Sequence, residues 1–289
     1  MNFNTKNIVA NGAVILILVV GVVSAAKSIL FKKDTPPCNE RYGNYIRFPD
    51  NVGVGEQILD KNIELHLDGR VQGLSEFTKV VQTNASASRV AFETKLPKGS
   101  LNPLKNNTAK GGMGFFWRPT LPTRASSACL TYKMWLPVNF KFNKGGTLPG
   151  LYGGKEPGPS GFDDPLSGFA SSLKWSKRGR PVLRSLTSEI TQKNGLLSKL
   201  GSDTIPKGRW VEISQEVVLN AAGLNDGIQR VWIDGELRHE AENIAFRKKN
   251  DLEISGVQAQ IHYDGKRKNG AGAPNDTLIR ITPFVLNWK

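Results

Sequence analysis

The sequence predicts an all-β sandwich. Three observations lead there: about ten runs of strand-forming residues with period-two alternation, no convincing long helical repeat, and Gly- and Pro-rich segments between the runs. A chain of 289 residues is long enough for one large sandwich domain. The expected organisation is a signal peptide or membrane anchor over 1–33, a linker and N-terminal arm over 34–60, and the sandwich over 61–289.

The run from Gly12 to Ala26 is apolar and follows a short segment carrying Lys6. Small residues at Val23-Ser24-Ala25 or Ser24-Ala25-Ala26 suit a secretory cleavage site. As an anchor, the stretch from Ile8 to Phe31 is long enough to span a bilayer, with Lys32-Lys33 at one interface. Both readings remain open, and they give a secreted, periplasmic or outward-facing anchored protein. The chain has two cysteines, Cys38 and Cys129, and an exported protein with an even pair invites one disulfide.

The first strands read as Lys79–Thr83 and Arg89–Lys95, where Val90, Phe92 and Thr94 share a face. Gly112–Trp117 and Ala128–Leu136 follow. Lys144–Gly154 holds five glycines and one proline, so it reads as a loop joining two strands and approaching something closely. Next come Ala170–Trp175 and Val182–Thr187, turned by Ser176–Arg180. Trp210–Leu219 and Ile228–Leu237 meet at an Asn-Asp-Gly turn. Leu252–Tyr263 and Leu278–Trp288 complete the set.

Lys plus Arg number 39 against 25 Asp plus Glu, a net charge of +14. That balance selects an anionic partner: nucleic acid, a membrane surface or an acidic glycan. The basic residues are scattered rather than clustered, which counts against nucleic acid. No Cys-x-x-Cys, His-x-x-x-His or clustered acidic pattern marks a metal site, and no cofactor is expected.

Leu148–Gly154, Gly168–Trp175, Gly208-Arg209-Trp210, Leu219-Asn220, Asp226-Gly227 and Val231–Gly235 occur in an order that resembles the fourteenth polysaccharide lyase family, the alginate and glucuronan lyases. The resemblance covers roughly residues 110–289. It implies a concanavalin A-like jelly roll whose concave sheet grips an acidic, uronate-containing polysaccharide and cleaves it by β-elimination. It also exposes departures. The family's lysine falls at Thr147, its serine and arginine at Ala170 and Ser172, and its two tyrosines near Arg184 and Leu186.

Elimination requires a group that neutralises the uronate carboxylate, a base for the ring proton and an acid for the leaving oxygen. Alternation places Gln258, Gln260 and His262 on one face of their strand, with Val257, Ala259 and Ile261 on the other. The expected catalytic candidates are His262, Tyr263 and Lys174. The expected substrate-binding residues are Gln258, Gln260, Arg184, Lys144, Thr147, Ser172 and Gln215. A non-catalytic glycan-binding module that keeps the groove is the competing expectation, because each polar side chain also fits a solvated strand face.

Overall fold

The computed structural model describes residues 35–48, 54, 71–85, 88–104, 110–120, 125–158, 161–190, 195–265 and 270–289. The apolar run at 12–26, with the whole of the expected 1–33 segment, lies outside the described residues. Among the described residues no helix is long and apolar enough to cross a membrane. The unit that begins at Pro36 is described below.

It is a jelly roll of two antiparallel sheets. In chain order the strands are β1 (Asn44–Phe48), β2 (Thr78–Gln82), β3 (Val90–Leu96), β4 (Met113–Trp117), β5 (Ser127–Trp135), β6 (Gly146–Gly154), β7 (Gly168–Trp175), β8 (Pro181–Leu186), β9 (Leu196–Lys199), β10 (Trp210–Val218), β11 (Gly227–Ile233), β12 (Glu236–Ile244), β13 (Ile254–Tyr263), β14 (Thr277–Ile281) and β15 (Phe284–Trp288). One short helix, α1 (Leu74–Phe77), precedes β2. The nine-stranded sheet runs β12-β11-β10-β5-β14-β3-β2, with β15 joining β5 to β1. The six-stranded sheet runs β4-β13-β6-β7-β8-β9.

The core lies between the sheets. Alternation sends Leu130, Tyr132 and Met134 inward from β5 to meet Phe169 and Leu173 from β7 and Val257, Ala259 and Ile261 from β13. Phe48 and Phe284 extend the layer against Phe115 and Trp117 of β4.

The glycine-rich segment corrects its expected role. It is β6, a central strand of the six-stranded sheet, not a loop. A Cβ on Gly146 would stand 1.9 Å from the Trp175 ring, and one on Gly153 would stand 2.1 Å from the Phe169 ring. One on Gly150 would stand 1.9 Å from the Ser171 carbonyl oxygen. The glycines therefore make room for the rings and backbone of β7 within the sheet. The register with β7 shifts between Thr147 and Gly150, a bulge where Pro149 sits without a ladder bond to donate. The Pro149 carbonyl turns into the core and accepts hydrogen bonds from Gln215 Nε2 at 2.8 Å and the Tyr132 hydroxyl at 3.3 Å.

On the outer face of the nine-stranded sheet, the arm is fastened at Cys38–Tyr42. Cys38 and Cys129 form a disulfide across 91 residues. Beside it Glu216, fully buried, accepts from Arg41 at 2.7 Å, Arg230 at 2.9 Å and the Tyr42 hydroxyl. Arg41 also lies 5.7 Å from the Trp232 ring centre. From there the chain enters β1, which pairs with β15, so part of the segment read as linker and arm is sheet.

Candidate functional site

The outer face of the six-stranded sheet divides into an apolar half and a polar half. Register builds both. In the first, Tyr152 of β6 lies beside Ala170 of β7, which lies beside Leu186 of β8. Phe116 of β4 packs its ring edge-on against Tyr152, with centres 5.2 Å apart. Leu104 and Phe162, from the segments after β3 and β6, complete this cluster, so side chains fill that half of the expected trough.

The polar half occupies two neighbouring rows. One crosses the sheet through Gln258, Gly150, Ser172, Arg184 and Leu197. The other runs His262, Thr147, Lys174, Val182 and Lys199. Strand alternation thus gathers Gln258, Gln260, His262, Thr147, Ser172, Lys174 and Arg184 on one side of the sheet. Gln258 and Ser172 are nearly covered, whereas Gln260, Lys174 and Arg184 are part-exposed. Lys144 is exposed in the turn before β6, off these rows.

A charged cluster ties the second row together. Lys174 Nζ lies 2.6 Å from Asp264 Oδ2 and donates to Thr147 Oγ1 at 2.7 Å. Thr147 in turn donates to Asp264 Oδ1 at 2.9 Å. His262 Nδ1 stands 3.5 Å from the same oxygen and 3.1 Å from the Tyr263 carbonyl, and Nε2 lies 3.3 Å from Gln260 Oε1. Burial works against ionisation of Asp264, but the charges of Lys174 and His262 and the two hydrogen bonds outweigh it, holding the carboxyl below its ordinary range. Burial lowers the Arg184 pKa, and the Asp264 charge opposes that shift.

Two expected site residues belong elsewhere. Tyr263 is fully buried in the core, stacked 5.8 Å from Phe140, with its hydroxyl donating to the Lys141 carbonyl at 2.7 Å. With no exposed surface and its hydroxyl committed to a backbone carbonyl it is a structural phenol, and burial raises its pKa. Gln215 is also fully buried, and its amide holds the β6 bulge from the opposite sheet rather than reaching a sugar. His262 is on the expected face but only 2% exposed. Asp264 was not among the expected residues. Its signal was its spacing of two from His262, which continues the polar face of β13. Among the described residues no three His, Cys, Asp or Glu side chains gather as metal ligands.

The model of the family Polysaccharide lyase 14 matches residues 84–279. The chain belongs to this family. Its fold is shared with solved members and relatives. The marine PL-14 alginate lyase from Aplysia kurodai superposes with a TM-score of 0.68 at 22% identity, over 86% of this chain and 99% of that one. An alginate lyase from Chlorella virus gives 0.61 at 16% identity, over 82% and 100%. The endo-β-1,4-glucuronan lyase from Trichoderma reesei gives 0.55 at 13%, over 78% and 93%. No curated protein sequence matches the chain.

In this member of the family, the positions expected to depart from the family pattern divide between the two halves. Ala170 and Leu186 stand in the apolar cluster, while Thr147, Ser172 and Arg184 stand in the polar one. Lys174, one strand from Thr147, brings its amine to the Thr147 hydroxyl.

Proposed function

We propose that this polysaccharide lyase family member binds an acidic, uronate-containing polysaccharide along the polar half of the six-stranded sheet. The observation that carries the reading is the convergence of Lys174 and Arg184 with Gln258, Gln260 and Ser172 on one face, across β13, β6, β7 and β8. The cations would pair with uronate carboxylates, and the amides and hydroxyl would meet sugar hydroxyls. Calorimetric titration with oligomers of alginate and glucuronan, against neutral dextran, tests it. Binding to a uronate but not to dextran is expected, with roughly a tenfold loss in Arg184→Ala. Equal binding to dextran, or none to any uronate, defeats the proposal.

Cleavage by β-elimination is the second reading, favoured by the His262–Asp264 pair. With Nδ1 donating to the Tyr263 carbonyl and Asp264, the lone pair lies on Nε2, and a half-turn of the Gln260 amide replaces its oxygen there with the NH2 group. There it would take the ring proton while Lys174 and Arg184 neutralise the carboxylate, and the imidazolium so formed, or water, would give a proton to the departing glycosidic oxygen. Cleavage creates an unsaturated uronate with ultraviolet absorbance. Growth of that absorbance, abolished in His262→Gln, would establish the enzyme; binding without it would leave a glycan-binding module. The Cys38–Cys129 disulfide and the Gly12–Ala26 apolar run support an oxidising, extracytoplasmic location, which cell fractionation would test.

A further inference from the structure

The position of Asp264 on the polar face has a consequence for how the face is used. Its two carboxylate oxygens take the Lys174 ammonium, the Thr147 hydroxyl and the His262 ring edge. A cation, a hydroxyl and an imidazole converging on two oxygens is the environment in which a sugar carboxylate would be held. We propose that Asp264 occupies the subsite for a uronate carboxylate, and that the polysaccharide binds by displacing it. This rests on the binding reading above and adds which residues form the subsite and what competes for it.

The geometry allows the exchange. Asp264 stands just past the end of β13, its backbone N–H fixed to the Gly145 carbonyl at 3.0 Å, while its side chain is 30% exposed. Rotation about its side-chain bonds carries the carboxylate toward water without breaking that backbone bond. The facing charged groups are Lys174 from β7, Arg184 from β8 and His262 from β13 itself. The two permanent cations, Lys174 and Arg184, meet one anion while Asp264 is seated. When it leaves, both positive charges become available to the ligand. The internal carboxylate therefore lowers the affinity for uronates and excludes weak anions from the face.

The test compares the wild type with Asp264→Asn in binding a uronate tetramer at low salt. Asp203→Asn, at an exposed position on the β9–β10 connection, controls for the same change in net charge. Asp264→Asn is expected to bind on the order of tenfold tighter than wild type, and Asp203→Asn to remain near wild type. Wild-type binding that Asp264→Asn does not strengthen beyond the control would overturn the displacement. No uronate binding by either protein would instead defeat the underlying binding reading, and the displacement with it. The ring-nitrogen resonances of His262, followed in the wild-type protein as the tetramer is added, give a second readout that needs no variant. They shift when Asp264 leaves; binding that leaves them unmoved would also overturn the proposal.

Discussion

Asp264 links stability and binding with opposite signs. Its folded pKa is depressed, so its contribution to stability is complete above the ordinary carboxyl range, about pH 4, and is lost as pH falls through the lowered value. Asp264→Asn should lower stability by about 1–2 kcal/mol at neutral pH while tightening uronate binding, and its stability should vary less with pH below about 4. Urea titrations across that range check the sign. Tyr263→Phe tests the reassignment of its phenol. It should cost about 1 kcal/mol, the bond to the Lys141 carbonyl, and leave uronate binding unchanged. Both corrected residues were legible by parity. Tyr263 shares the inward alternation of Val257, Ala259 and Ile261, and Gln215 that of Ile213 and Val217. Polar chemistry suggested a site for each. Neither sequence neighbourhood named the buried carbonyl that satisfies it, because Pro149 and Lys141 are distant in the chain.

At the scale of elements, the strands with clean alternation were legible: β3, β5, β7, β8, β10 and β13 fall close to their expected ranges. β6 was not, because glycine content argues against a strand until its neighbour is known. The rings of Trp175 and Phe169 occupy the space that side chains on β6 would need. Gly150→Ala should consequently destabilise by about 3 kcal/mol or more, since its new carbon overlaps backbone that cannot swing aside. Thermal unfolding measures this; a loss within 1 kcal/mol or so would mean that β7 can retreat. β12 escaped for another reason. Glu236–Ile244 is a charged edge strand with no buried residue, so burial imposes little pattern on its sequence.

For the whole molecule, the sandwich and its family resemblance were readable, but the division of the outer face was not. That division depends on Leu104 and Phe162 arriving from separate segments to cover Tyr152, Ala170 and Leu186. The arm's attachment was half readable: two cysteines could be paired by compartment, whereas Glu216 gave no sign that it would be buried under two arginines and a tyrosine. Removing the disulfide by Cys38→Ser with Cys129→Ser should cost about 2–5 kcal/mol in chemical denaturation. Glu216→Gln should cost about 3 kcal/mol, because the guanidiniums lose their counter-charge. Burial and the bond to Glu216 raise the Tyr42 pKa to about 12. Its share of stability is thus full below about pH 10 and lost as pH rises through about 12.

The narrowness of β6 also decides where this protein can acquire a new preference. Between Thr147 and Tyr152 the middle of the outer face offers a bulge and the bare peptide of Gly150, which no point substitution can endow with charge without forcing the sheet apart. If the face binds a polysaccharide as proposed, selection for a different sugar must therefore work through the flanking strands. A library confined to Gln258, Gln260, Ser172, Lys174 and Arg184 would sample most of the accessible recognition chemistry with the scaffold left whole.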